Sequence, residues 1–133
     1  MQFDQVVFAG GGNRCWWQAG FWHALNEEYH QKPHLITAVS AGAATACLLY
    51  TRPGVEGARW ALQYYEKVLK DIHKNAYWEN LFTTKPVFPH CDIYKGVLEQ
   101  VIATKLEFLQ SAPPIKIGVS VAPSYLGARS SVA

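Results

Sequence analysis

The chain has 133 residues, half of them hydrophobic and 17% charged, with a formal net charge of +2. That is enough apolar material for one domain with a core, which excludes an intrinsically disordered chain. The net charge is too small to argue for a nucleic-acid partner.

The start, Met1-Gln2-Phe3-Asp4-Gln5, lacks the basic and apolar segments of a signal peptide. The run Val6 to Ala9 is short and rich in valine, and three glycines end it, which predicts a buried strand. From Cys15 to Tyr29 the residues Trp17, Phe21, Ala24 and Leu25 recur at helical spacing, and Lys32-Pro33 stops the pattern. A second buried strand is expected over Leu35 to Val39, followed by Ser40 and a small-residue helix from Ala41 to about Tyr50. The uncharged stretch Leu35 to Thr51 is interrupted by Ser40, Gly42 and Thr45 and falls short of the ~20 residues that cross a bilayer. A soluble, cytoplasmic protein is the expectation.

Arg52-Pro53-Gly54 breaks the chain, and a third helix fits Val55 to about Lys74, with Ala58, Leu62, Tyr65, Val68, Leu69 and Ile72 inward. Lys67, Lys70 and Lys74 share its other side as a solvated face. Residues 76 to 92 hold two prolines and no period, and read as a loop. Asp92 is the expected N-cap of a fourth helix whose inner face is Ile93, Val97, Val101 and Ile102. After Pro113-Pro114, Ile115 to Ala122 reads as a third strand. Residues 1–122 are thus one unit, and residues 123–133 a loop or frayed tail. Alternating strands and helices imply an α/β fold, a three-layer α/β/α arrangement on a mainly parallel sheet.

Two turns carry chemistry. In Phe8-Ala9-Gly10-Gly11-Gly12-Asn13-Arg14 a strand runs through three glycines into a helix, which leaves several backbone N–H groups aimed at one point. Such a loop can cradle a phosphate, stabilise an oxyanion, or serve only as a tight turn. A dinucleotide site is disfavoured because Cys15 replaces the last glycine of the pattern and the second strand ends in Val39-Ser40 rather than an acid. A P-loop fails for want of Gly-Lys-Ser/Thr.

In Ala38-Val39-Ser40-Ala41-Gly42 a strand delivers a serine to a sharp turn and a helix starts at once. That is the arrangement of a nucleophile elbow, with Ala38 where glycine is usual and Gly42 in place. Alone, the pattern is weak. In a parallel sheet, however, both turns fall at the carboxyl ends of their strands, so the glycine loop can face the serine hydroxyl.

Gly10-Gly11-Gly12-Asn13-Arg14 after a strand, with a serine elbow 28 residues beyond Gly12, resembles the patatin-like phospholipases. The likeness covers about residues 5 to 50 through its motifs and the rest through its α/β rhythm. It implies Ser40 as nucleophile, an oxyanion hole from Gly10, Gly11 and Gly12 with the Ala41 N–H, and acyl lipids as substrates. It also implies an aspartate as the base, with no catalytic histidine and no cofactor. Asn13 and Arg14 are expected to support the loop or meet the substrate's head group. The family's aspartate lies in Asp-Gly-Gly or Asp-Gly-Ala, whereas Asp4, Asp71 and Asp92 are followed by Gln5, Ile72 and Ile93. The expectation is an N-terminal portion of the family's domain, ending before its acid and after about three strands.

The remaining candidates have plainer explanations. Only His73 and His90 follow Ser40, and neither stands just after a recognisable strand, as a triad histidine should. Trp17 is expected in the core, with Trp16 and Trp22 towards lipid. Cys15 opens its helix, where a thiolate would be stabilised, but a buried small residue is the simpler account. Cys15, Cys47 and Cys91 show no Cys-x-x-Cys pair and no histidine at metal-ligand spacing, so free thiols are expected. The reading is a lipid acyl hydrolase acting at or near a membrane surface, with an exposed sheet edge open to self-association. The alternative, motivated by the missing aspartate, is a catalytically incomplete module that binds acyl lipid or a protein.

Overall fold

The computed structural model describes residues 1–74 and 76–121. Three strands, β1 (Gln5–Phe8), β2 (Leu35–Val39) and β3 (Ile115–Gly118), form one parallel sheet in the order β1-β2-β3. The register sets Phe8 beside Ala38 and Ala38 beside Ile117, so β2 runs one residue past the end of β1, and both strands finish at the same edge of the sheet. The fold is α/β, as the alternation of elements predicts. The third strand stops at Gly118, short of the expected Ala122. The tail expected over residues 123–133 lies outside the described residues.

Helix α1 (Trp16–Tyr29) links β1 to β2, and α2 (Ala41–Leu49) comes immediately after β2. Helix α3 (Val55–Leu69) ends well before the expected Lys74, which leaves Asp71 exposed beyond the helix rather than on its face. The loop over residues 76–92 contains a 3-10 segment, Trp78–Phe82. Helix α4 (His90–Gly96) runs on through a π-helical stretch, Val97–Ile102, then a 3-10 turn, Ala103–Lys105, and α5 (Leu106–Gln110). Asp92 is not its cap. The helix starts two residues earlier, after Pro89, whose fixed φ suits a first turn, and Asp92 is an exposed residue within that turn. The expected inner residues Val97, Val101 and Ile102 are buried.

One face of the sheet carries Val6, Phe8, Ile36 and Ala38 and joins the helices in a single core with Ala19, Ala46, Leu48, Ala58, Ala61 and Tyr65. The opposite face leaves Val7 and Val39 exposed. In α1 the expected stripe fails at Trp17, Phe21 and Ala24, while Leu25 packs against the core as expected. Trp17 and Phe21 are 59% and 61% exposed and stack edge to face at 6.4 Å, while Gln18, Ala19 and Trp22 are buried. The reason is close helix packing. α1 packs on α3 through small residues: Ala19 shares the buried core with Ala58 and Ala61, and a Cβ on Gly20 would lie 3.8 Å from Leu62 Cδ2, while the large aromatic rings at 17 and 21 face outward. Trp22 turns inward onto Phe8, with ring centres 5.8 Å apart. Trp16 is half exposed, as expected; Trp22 is not a surface residue.

Candidate active site

The glycine loop takes its shape from the end of β1. After Phe8 the chain leaves the sheet through Ala9, Gly10 and Gly11, and Gly12 adopts a φ of 56°, which favours glycine. A 3-10 turn, Gly12–Arg14, comes next; the Arg14 N–H donates to Gly11 O at 3.2 Å and the Cys15 N–H to Gly12 O at 3.1 Å. Among the described residues the N–H groups of Gly10, Gly11 and Gly12 form no hydrogen bond, and Gly10 and Gly11 are exposed. They are therefore free to meet an anion.

At the end of β2, Ser40 has φ 54° and ψ −131°. An L side chain enters that region only under constraint, at a cost of order 1–3 kcal/mol. Helix α2 starts at the next residue, so the Ala41 N–H is the first of the helix's donors without an intrahelical acceptor. Ser40 is exposed, and its hydroxyl makes no hydrogen bond among the described residues.

The constraint on Ser40 is visible at Gly42. A Cβ there would stand 2.3 Å from Phe8 O and 2.5 Å from Ala9 O, so only glycine lets α2 start against the end of β1. Ala38, two residues before the serine, is fully buried in β2 and its methyl group is accommodated in the core. Across the two turns, a Cβ on Gly10 would lie 3.2 Å from Ser40 Cβ and 3.9 Å from Ser40 Oγ. The glycine loop and the serine are in contact.

The Ala9 carbonyl, at the root of the loop, is held from inside. Gln18 Nε2 donates to it at 2.8 Å and the Cys15 thiol at 3.4 Å. Cys15 is 1% exposed and burial raises its pKa, so it is a buried neutral thiol and not an activated thiolate. Asn13 reaches outward, its Nδ2 donating to Lys74 O at 3.3 Å, which ties the loop to the chain beyond α3. Arg14 is exposed and makes no side-chain hydrogen bond or ion pair among the described residues.

None of the described aspartates or histidines touches Ser40. Asp4, Asp71 and Asp92 are exposed, His73 offers its backbone N–H to the Tyr77 hydroxyl, and His23 faces Glu27 at 3.5 Å. The His90 and Cys91 side chains lie outside the described residues. Beside Ser40 an open cleft of about 650 Å³ has apolar walls from Val39, Ala43, Ile117 and Val119.

A family model described as patatin-like phospholipase matches residues 6–116, which include both turns. The chain belongs to that family. No curated protein and no solved structure matches it. Patatin-like phospholipases are lipid acyl hydrolases. No helix among the described residues of this patatin-like chain is long and apolar enough to cross a membrane. Gln18 is the residue that sequence reasoning missed. A polar side chain on the face of α1 next to Ala19 would have marked it, had that face been assigned inward.

Proposed function

We propose that this patatin-like protein hydrolyses acyl esters of lipids through an acyl-enzyme on Ser40. The reading is carried by the contact between an exposed serine in a constrained elbow and a loop whose N–H groups are unpaired. Ser40 Oγ attacks the ester carbonyl carbon, and its proton passes to a base. The carbonyl oxygen becomes an oxyanion that the N–H groups of the Gly10–Gly12 loop and of Ala41 stabilise. Collapse of the tetrahedral intermediate expels the alcohol. Water then attacks the acyl-enzyme and releases the carboxylic acid, restoring the serine.

The apolar cleft formed by Val39, Ala43, Ile117 and Val119 receives the acyl chain. The exposed rings of Trp16, Trp17 and Phe21 supply an apolar, partly wet surface of the kind that rests at a lipid interface. The base is an aspartate on the family's pattern, and it is none of Asp4, Asp71 and Asp92.

The test is covalent labelling of the protein as its gene encodes it. A fluorophosphonate should modify Ser40, identified by peptide mass spectrometry, and Ser40→Ala should abolish both labelling and ester hydrolysis. An alanine variant that retains full turnover would remove Ser40 from the reaction. A chain that binds acyl lipid but neither labels nor turns over would be the binding module instead.

A further inference from the structure

Acyl transfer needs N–H groups that point at the oxyanion before it forms, and a glycine loop on its own has many conformations to lose. Something must therefore select one. The structure offers a specific candidate in the Ala9–Gly10 peptide.

This peptide is planar and trans, so the Ala9 C=O and the Gly10 N–H point in opposite directions. The Ala9 oxygen faces the interior. It accepts the Gln18 amide at 2.8 Å and the Cys15 thiol at 3.4 Å, and it packs so tightly on the start of α2 that a Cβ at Gly42 would stand 2.5 Å away. With the oxygen fixed inward, the Gly10 N–H is turned outward, on the residue where a Cβ would lie 3.2 Å from Ser40 Cβ. Gln18 itself is 8% exposed, and Ala9 O is the only hydrogen-bond partner of its side chain among the described residues. Nothing about core packing calls for an amide there, since its neighbours on that face of α1 include Ala19 and Trp22.

We propose that Gln18 is the positioning residue of the oxyanion hole: by holding the Ala9 carbonyl inward it fixes the Ala9–Gly10 peptide plane and aims the Gly10 N–H at the oxyanion. Without that donor the peptide can rotate, and the loop pays the cost of alignment in the transition state. The buried thiol of Cys15 is a weaker donor to the same oxygen and the titratable group that shares it. The inference rests on Ser40 being the nucleophile, and the experiment separates the two.

Two substitutions suffice, with the unsubstituted protein labelled by a fluorophosphonate as reference. Gln18→Met keeps the volume and removes the donor; kcat and the labelling rate of Ser40 should fall about 10- to 100-fold, with KM within about twofold. Gln18→Glu places a carboxyl against the carbonyl oxygen. Protonated, it can donate; ionised, it repels. Its kcat should therefore rise as pH falls, through a new ionisation that the unsubstituted protein lacks, and a purely structural role would not produce that profile. Should Gln18→Met fail to fold, the Gln18→Glu profile still decides. Kinetics within twofold of the parent for Gln18→Met, or a Gln18→Glu profile parallel to the parent's, would overturn the proposal while leaving Ser40 untouched. Absence of labelling in the unsubstituted protein would bring down the nucleophile assignment, and this inference with it.

Discussion

Gly42 and Phe8 approach so closely that a Cβ at position 42 would stand 2.3 Å from the Phe8 carbonyl oxygen. One residue thus joins the strand that ends in the glycine loop to the helix that begins just after Ser40. The elbow and the loop are one mechanical unit.

That contact makes Gly42→Ala a damaging substitution despite its small size. Overpacking of this kind costs about 1–3 kcal/mol. The added methyl must also displace the Ala9 carbonyl, so activity should fall with stability. Gly96 is the control, because a Cβ there meets nothing within 4 Å and its φ of −58° is ordinary. Denaturant titration should show Gly42→Ala destabilised and Gly96→Ala unchanged or slightly more stable. Equal stability of the two would mean that α2 can retreat from β1.

Ser40 holds a φ of 54° against its preference. Ser40→Gly should therefore be more stable than Ser40→Ala by about 1 kcal/mol, relief of the strain being partly offset by the freedom glycine gains when unfolded. Both variants lack the hydroxyl, so the comparison isolates the backbone. An alanine variant as stable as the glycine variant would show that the turn is not strained.

In the loop itself, Gly12 also has a positive φ, 56°, and a β-branched side chain there is doubly disfavoured. Gly12→Val should lower kcat by ~10²–10³ as N–H donors are displaced. The loop is at the surface, and the melting transition should survive. A variant with its full rate would give the loop another task.

Much of this was legible in the sequence, and the limits have identifiable causes. The strand–glycine–helix and strand–serine–helix turns could be read because Gly10 to Gly12 and Gly42 are required by backbone geometry, which single residue types report faithfully. The face of α1 could not. Its aromatic residues Trp16, Trp17, Phe21 and Trp22 surround the helix, and the buried side is set by Ala19 and Gly20, whose smallness admits α3. Size decided what hydrophobicity suggested otherwise. Asp92 misleads for a related reason: a plausible cap chemically, it lies inside a first turn that Pro89 has already started. Gln18 has no visible role until the Ala9 carbonyl has a direction.

Alkaline pH should expose a further property of the core. Burial pushes the Tyr50 and Tyr94 hydroxyls up to about 12, and Tyr65 further, from an ordinary value of 10.0. The unfolded chain loses these protons first. The contribution to stability is therefore complete below pH 10 and is lost as pH rises from about 10 towards 12. Urea midpoints should decline over that window, and Tyr50→Phe should make the decline shallower while leaving the neutral-pH midpoint nearly unchanged. A variant with the parent's alkaline slope would mean that Tyr50 ionises freely in the folded state.

We also propose that the edges of β1 and β3, together with exposed Val7 and Val119, allow copies of this chain to associate; sedimentation at rising concentration should show it, and Val7→Lys should reduce it.

The sheet order β1-β2-β3 has a consequence for the way the protein comes into being. The glycine loop, Gln18, Ser40 and Gly42 all belong to the single unit β1-α1-β2-α2, and the two turns are separated by one crossover. Bringing them together closes one loop of modest length, whose entropic cost grows only slowly with the number of residues in it. The glycine loop and Ser40 can be set against each other while later parts of the chain are still being synthesised. In synthesis from the amino terminus the residues of both turns therefore emerge before those of α3 and β3, which add to that unit afterwards.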